Sequence, residues 1–262
     1  MNTLKIIKYQ LQDVIRSRWI IFYTLFFWLI TDALFRFGGS GEHVILSLMN
    51  VVLIVIPLVS IVLGAMYLYN SREYIELLLS QPITRSSLFS GLYAGLTIPL
   101  ASGFALGILA PFAYHGGLAT GGASGVLFLV FVGILLTVVF TALAFSIALR
   151  FEDKIKGLGL SLVLWLFFSV IYDGLILFII YLFSYYPLQN PVIALTMLNP
   201  IDLGRILLML NFDISALMGF TGAVFQRFFG SGFGMAVSLG VMLMWLAVPM
   251  SLAFRVFLRK DF

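Results

Sequence analysis

The sequence predicts an all-α, polytopic membrane protein with six transmembrane helices. Hydrophobic residues make up 62% of the 262 residues and charged residues only 10%, whereas a soluble domain usually carries about 25% charge. The apolar residues form runs near or above the ~20 residues that a helix needs to cross hydrocarbon. Strands of a membrane β-barrel would be about half as long and would alternate in polarity, which favours a helical bundle.

The first 18 residues predict an amphipathic helix in the membrane interface. Lysine, glutamine and arginine occupy one helical face, and apolar residues recur on the other at Leu4, Ile7, Leu11, Val14 and Ile15. A basic amphipathic helix beside a first span binds the headgroup region. A merely solvated basic tail is the alternative. No small-residue cleavage site follows the first apolar run, so we expect no cleaved signal peptide.

Six spans are predicted in a single transmembrane domain over 1–262, at about 19–35, 43–69, 87–114, 126–149, 158–183 and 231–258. The third span carries a small residue or proline at every fourth position, at Gly91, Gly95, Pro99, Gly103 and Gly107. Small residues let helix backbones approach closely in lipid, so we expect tight packing along this stripe. The uncharged, glycine-rich stretch 116–125 is expected to be an outer connector.

Lysine and arginine are distributed unevenly along the chain, which predicts its orientation. Segments 1–18, 70–86, 150–156 and 255–260 hold twelve of the 15 basic residues. The other side of the membrane would hold only Arg36, Arg205 and Arg227. Basic residues favour the cytoplasmic side, so both termini and the loop 70–86 are predicted to be cytoplasmic.

The loop 70–86 contains a short amphipathic helix. Arg72, Glu73 and Glu76 share a polar side at helical spacing, and Pro82 ends the helix because it lacks a donor. The remaining surface is apolar, with Tyr74, Ile75, Leu77, Leu78 and Leu79. A stiff cytosolic helix with apolar knobs and exposed carboxylates suits docking into a groove of a partner protein. Resting on lipid headgroups is the alternative, but glutamates fit an anionic leaflet poorly.

The region 184–230 is too polar and too interrupted by proline to be a further simple span. We expect an extracytoplasmic loop with one or two short helices that partly dip into the bundle. Asp202 and Arg205, three residues apart, form either an exposed pair of little energetic value or part of an outer mouth.

Asp173 lies inside the fifth predicted span, where an unpaired carboxylate costs several kcal/mol. One interpretation is a helix-pairing or substrate-path residue, with Arg205 or Arg227 as its partner. The other is a structural hydrogen bond inside the bundle.

Several classes of site are excluded or disfavoured by composition. Without cysteine there is no disulfide, iron–sulfur cluster or thiolate metal site. His43 and His115 are far apart, and no GxxxxGK[ST] loop exists to hold ATP. The net charge of +4 is too small to suggest a nucleic-acid partner. Ten methionines could pass Cu(I), although methionine commonly fills gaps between apolar helices.

Three stretches resemble a known family. REYIELLLSQPITR resembles the first cytoplasmic loop of ABC-2 type permeases, which forms the coupling helix that fits a separate ATPase subunit. ALRFEDKIKGLGLSLVLWLFFSVIYDGLIL is similar to the second cytoplasmic loop and fifth span of permeases in nitrous oxide reductase maturation transporters. LNPIDLGRILLML resembles the outer Asn-Pro-x-Asp-x-x-Arg motif of those permeases. The resemblance covers most of the chain and implies the type V exporter-like transmembrane domain.

The resemblance also implies roles for individual residues. The ATPase-coupling residues would be Arg72, Glu73, Tyr74, Glu76, Leu77, Leu78 and Arg85. The outer motif, as a surface for an outer partner, would comprise Asn199, Pro200, Asp202 and Arg205. Many relatives have glycine and threonine where Glu73, Tyr74 and Ile75 stand, and an aromatic residue where Gly204 stands, so these surfaces would differ in detail.

The implied assembly is a homodimer in the bacterial inner membrane with two ATPase subunits on its cytoplasmic side. A periplasmic β-helix protein would sit on the outer face, and ATP hydrolysis would serve copper-site assembly in nitrous oxide reductase. ATP would be bound by the partner, so this chain would be non-catalytic and hold no cofactor or metal. The alternatives are an ABC-2 exporter of another small molecule or lipid, a proton-coupled secondary transporter using Asp173, and a passive membrane anchor.

Overall fold

The computed structural model describes residues 11, 14, 17–38, 41–117, 123–183, 189–211 and 232–260. These residues are almost entirely helical and contain no β-strand, which confirms the predicted all-α class. Six helical segments in this part of the chain are long and apolar enough to cross a membrane, as predicted. The predicted interfacial helix over 1–18 lies mostly outside the described residues.

The first four spans are four long helices, and one short helix lies between the second and the third of them. In order, they are α1, Arg18–Gly38; α2, Gly41–Asn70; the short α3, Arg72–Leu79; α4, Arg85–Tyr114; and α5, Ala123–Arg150. The fifth span runs over Lys154–Leu182. It consists of α6, Lys154–Leu166; a π-helical turn, Phe167–Ile171; and α7, Tyr172–Leu182. The chain continues with α8, Gln189–Met197; α9, Pro200–Asn211; and α10, Gly232–Arg259.

The start of the fifth span follows from a local capping signal. The Asp153 carboxylate accepts hydrogen bonds from the backbone N–H groups of Ile155 and Lys156 at 2.8 and 3.4 Å. These donors have no partner inside the helix, so an aspartate at this position fixes where α6 begins.

α5 forms the centre of the bundle. It packs against α2, α4, α9 and α10. Of the 18-residue apolar stretch of α5, 61% is buried inside the protein. The corresponding share is only 17% for the fifth span and 22% for both α1 and α10. The core therefore lies around α5, and the outward faces of the other three spans remain for lipid or a partner chain.

The small-residue stripe of α4 is buried along its whole length, at Gly91, Gly95, Pro99, Gly103 and Gly107. α1 packs against α4 and approaches this stripe closely at Gly103 and Gly107. A Cβ atom on Gly107 would lie 2.8 Å from both the Phe27 Cβ and the Thr24 carbonyl oxygen. Glycine is therefore needed here because the backbones of α1 and α4 leave no room for a side chain.

α8 and α9 form a broken pair that meets at 111° between Met197 and Pro200. α9 packs against α5, α2 and α10, and its buried side chains include Ile201, Leu203 and Leu207. Pro200 occupies the first position of α9, where its missing N–H is no loss. The two short helices lie in the predicted loop 184–230, whose remaining residues 184–188 and 212–230 lie outside the described part.

Candidate functional site

α3 buries one face in the protein and presents the other outward. Ile75 and Leu78 are 0% and 5% exposed, so they anchor the short helix to the bundle. The opposite side, which we call the outward face, consists of Glu73, Tyr74, Glu76 and Leu77. Two carboxylates and two large apolar side chains thus share a surface that no described residue covers.

The sequence predicted a broader apolar docking surface than α3 presents. Of the five apolar residues, Tyr74 is 38% and Leu77 60% exposed, whereas Ile75 and Leu78 are buried. Leu78 is therefore an anchor of α3 and is unavailable to a partner. Sequence periodicity could not separate these roles, because an eight-residue helix carries apolar residues on more than one side.

Arg72 and Arg85, also predicted as coupling residues, turn toward backbone carbonyls instead of outward. Arg72 donates to the Phe151 carbonyl at 3.1 Å and lies over the Tyr69 ring, 5.0 Å from its centroid. The Tyr69 hydroxyl donates to the same carbonyl at 2.8 Å. Arg85 donates to the carbonyl oxygens of Leu258 and Lys260 at 3.0 and 2.7 Å.

Lys260 is a further basic residue at this end of the bundle, and sequence reasoning gave it no role. Its ammonium donates to the Leu149 carbonyl at 3.0 Å and lies 3.8 Å from a Glu152 carboxylate oxygen. Burial and the positive charge of Arg72 lower the pKa of Lys260, and Glu152 opposes them. No sequence motif surrounds Lys260, so the sequence offered no signal for this contact.

A second polar cluster lies deeper in the bundle, around Arg205. Its guanidinium Nη1 is 2.9 Å from the Asp173 carboxylate and 3.0 Å from the Asp202 carboxylate. The Asp202 side chain is only 6% exposed, so the alternative of a solvent-exposed Asp202–Arg205 pair is wrong. One arginine thus serves two carboxylates on two different elements, while Arg227, the other predicted partner of Asp173, lies outside the described residues.

Asn199 connects this cluster to the π-helical turn of the fifth span. Its side-chain N–H group donates to the Phe168 carbonyl at 2.8 Å and to Asp202 at 2.9 Å. Its side-chain oxygen accepts from the Ile201 N–H at 3.0 Å and so caps α9. A π-helical turn leaves carbonyls out of the regular ladder, and Asn199 satisfies one of them.

Two aromatic side chains hold the junction of α8 and α9, and sequence reasoning missed both. The Tyr172 hydroxyl donates to the Leu195 carbonyl at 2.6 Å, and the Trp245 indole N–H donates to the Met197 carbonyl at 3.2 Å. The sequence does place this tyrosine and this tryptophan inside apolar spans. A tyrosine O–H or a tryptophan N–H in such a span needs a hydrogen-bond acceptor, and this need was the signal for the two contacts.

Most of the predicted outer motif is buried in the protein. The buried residues are Asn199, Pro200 and Asp202. They can shape the α8–α9 junction but do not themselves form a surface for another protein. The neighbouring Leu198 is 59% exposed.

A local ion pair lies at the far end of α1. Arg36 lies 2.8 Å from Asp32, and the His115 imidazole is also 2.8 Å from that carboxylate. The His115 ring stacks on Phe35 with 4.8 Å between centroids. This contact fastens the end of α4 to α1.

Among the residues that the structure describes, no group of three or more histidine, aspartate or glutamate side chains is arranged to hold a metal ion. The two closely spaced methionines of α10 also diverge. Met242 is 1% and Met244 62% exposed, so the two thioethers do not face a common site.

Comparison with known proteins gives a consistent result. The sequence profile of the family described as "ABC-2 family transporter protein" matches residues 4–262. A protein of Pseudomonas aeruginosa, named "Probable ABC transporter permease protein NosY", is 30% identical over 230 residues, which cover 80% of this chain and 82% of that protein. A protein of the same name from Stutzerimonas stutzeri is 25% identical over 281 aligned positions, with 96% of each chain covered.

Proposed function

The chain belongs to the ABC-2 family of transporter proteins, and from that premise we propose that a separate ATPase subunit docks on the outward face of α3 and drives the bundle. The chain is a membrane-spanning ABC transporter permease subunit, a component that is generally non-catalytic. Binding and hydrolysis of ATP therefore belong to the partner in this proposal, and the permease needs no cofactor of its own.

The observation that carries the proposal is the two-sided construction of α3. Its buried residues, Ile75 and Leu78, fix the helix on the bundle, while Glu73 and Glu76 extend from it without an ion pair among the described residues. Exposed Tyr74 and Leu77 supply apolar contact area between these charges. Aromatic and apolar anchors with nearby charges are what a specific protein interface requires.

The distribution of charge supports a cytoplasmic position for this end of the bundle. Arg150, Lys154, Lys156 and Arg259 are exposed on segments that meet near α3, whereas the far end of α1 carries Arg36. Positive residues favour the cytoplasmic side, so α3 would face the ATPase compartment of a bacterial inner membrane.

The assembly proposed is a homodimer with two ATPase subunits. The least-buried spans are α1, the fifth span and α10, so these offer the faces on which a second copy could pack. Two ATP-binding subunits would then contact two α3 helices, one in each protomer.

For the biological process, we favour maturation of a copper enzyme such as nitrous oxide reductase. Support comes from the NosY name that both relatives carry and from the motif resemblance in the fifth span and in α9. A periplasmic β-helix protein is the proposed partner at the end opposite α3. Export of another small molecule or lipid uses the same ATPase contact and is the second candidate within this family.

A proton-coupled secondary transporter or a passive anchor would need no ATPase. Copurification separates these alternatives from the proposal: a tagged chain isolated from its native membrane is expected to bring down a P-loop ATPase. Isolation without any nucleotide-binding subunit would contradict the proposed function.

Charge reversal on α3 tests the docking face directly. In the Glu73→Arg, Glu76→Arg variant, two positive side chains replace the two carboxylates that would face complementary charges on the ATPase subunit. The affinity of the permease for the ATPase is therefore expected to fall about 30-fold or more. Copurified ATPase and stimulated ATP hydrolysis in detergent or nanodiscs would both be measured. Thermal unfolding of the permease alone should be unchanged, because both side chains are exposed.

The matched control is Arg255→Glu, which reverses the charge of an exposed arginine on α10 towards the same end of the bundle. This variant is expected to keep the ATPase. Normal assembly and normal ATP hydrolysis in the double variant would show that α3 is not the docking helix.

A further inference from the structure

Three basic side chains at the α3 end bind the backbone carbonyls of other helix ends. Arg72 donates to Phe151, the residue after the last of α5, and Lys260 donates to Leu149 within the last turn of α5. Arg85 donates to Leu258 and to Lys260 at the end of α10. The last carbonyls of a helix lack intrahelical donors and carry the negative end of the helix dipole, so cations suit them.

These contacts join end to end into a closed path, which we call the carbonyl ring. Arg72, the first residue of α3, reaches the end of α5. The side chain of Lys260 connects the end of α5 to the end of α10. Arg85, the first residue of α4, returns from α10 to the segment that follows α3. The start of α3 is thereby tied to the end of α5, and its other end is connected through residues 80–84 to the Arg85 contacts with α10.

The ring has the physical character of a stiff connection. Charge-assisted hydrogen bonds are about twice as strong as neutral ones. The Arg85 Nη1 lies 2.7 Å from the Lys260 carbonyl and 3.0 Å from that of Leu258, so one group holds two neighbouring carbonyls. On the other side, the Tyr69 hydroxyl reinforces Arg72 on a shared acceptor.

We propose that Arg85, together with Arg72, transmits displacement of α3 to the ends of α10 and α5, so that these two spans move when an ATPase subunit pulls or pushes on α3. This inference rests on the proposed function, because it requires a motor on the outward face. It assigns the two arginines to force transmission and leaves docking to Glu73, Tyr74, Glu76 and Leu77. α5, as the central helix, then carries the movement into the core.

The test follows movement at the far end of α10. The chain contains no cysteine, so Met235→Cys places a single thiol at an exposed position near the start of this helix. That site is about 35 Å from the ring, by the rise of a helix. The complex with a cysteine-free ATPase subunit is placed in nanodiscs, and the maleimide labelling rate is compared without nucleotide and with ATP plus vanadate.

The labelling rate is expected to change with nucleotide in the Met235→Cys protein, and Arg85→Met is expected to reduce that change about five- to tenfold. The ATPase should still copurify, because the outward face of α3 is intact. The matched control is Arg255→Met, which removes an exposed arginine from α10 without touching the ring; its response should equal that of the parent. If Arg85→Met does not accumulate, Arg85→Lys replaces it, with a response expected to fall about threefold.

The outcomes separate the two proposals. A parent chain that brings down no ATPase contradicts the proposed function. If the ATPase binds but the Arg85 variants respond to nucleotide as the parent does, the ring transmits nothing and this inference is overturned while docking stands. The inference on force transmission is also overturned if the Arg85 variants lose the ATPase. The same holds if the labelling rate of the Met235→Cys parent does not change with nucleotide.

Discussion

At the scale of single residues, Arg205 stands out because its side chain contacts two carboxylates. Its guanidinium lies within 3.0 Å of two carboxylates, on α7 and on its own helix α9. Charges in a span are costly unless they are paired, and here two carboxylates share one guanidinium. The Asp173 side chain is 35% exposed and the Asp202 side chain 6%, so Asp202 depends more on the arginine.

Replacing Arg205 by methionine is therefore expected to destabilise the fold by about 2–4 kcal/mol, because the Asp202 carboxylate stays buried without its counter-ion. Thermal unfolding of the purified protein in detergent measures the effect. Arg36→Met is the matched control, since that arginine pairs with Asp32 at a site where its side chain is 67% exposed. It should cost under about 1 kcal/mol; equal costs would mean that Asp202 is not held by Arg205.

At the scale of helices, the close approach of the α1 and α4 backbones explains how α1 is held against the bundle although little of it is buried. Gly103 and Gly107 of α4 face Thr24 and Phe27 of α1. Beside them, Phe27 packs edge-on against Phe104 with 5.0 Å between ring centroids. In lipid, such van der Waals contact replaces the hydrophobic effect as the force between helices.

A single methyl group at this contact is a sensitive probe. Gly107→Ala places a Cβ atom 2.8 Å from backbone and side-chain atoms of α1, so separation of the two helices should destabilise the protein by about 1–3 kcal/mol. Gly240→Ala, on α10 where no described atom lies within 4 Å, should not destabilise the protein and should stabilise it by up to about 1 kcal/mol through helix propensity. Thermal unfolding measures both, and indistinguishable values would rule out close α1–α4 packing.

At the scale of the whole molecule, the two ends of the bundle differ in charge and in chemistry. The α3 end carries basic side chains that satisfy the carbonyls of helix ends, and the far end is closed by the contact of Asp32 with Arg36 and His115. This asymmetry predicts one orientation in the membrane.

Single thiols test that orientation in the otherwise cysteine-free chain. Glu76→Cys on α3 should react with an impermeant maleimide only in inside-out membrane vesicles. Tyr114→Cys, at the far end of α4 where the native side chain is 83% exposed, should react only in intact spheroplasts. The reverse pattern would place α3 outside and remove the basis for an ATPase contact.

The sequence by itself determined the class of the protein, the six spans and the short helix between the second and third. These features follow from composition, from the length of apolar runs and from local signals such as Pro82, which act on neighbouring residues. The residues of the polar motif, Asp202 and Arg205, were also visible as two opposite charges three residues apart.

Only the tertiary structure decided which of the predicted residues face outward and which face inward. It placed Leu78 in the core, turned Arg72 and Arg85 toward helix ends, and brought Arg205 next to Asp173. It also brought Lys260 to the end of α5, over a separation of 111 residues. Such contacts depend on how helices distant in the chain pack together, and the local sequence around each residue carries no information about that packing.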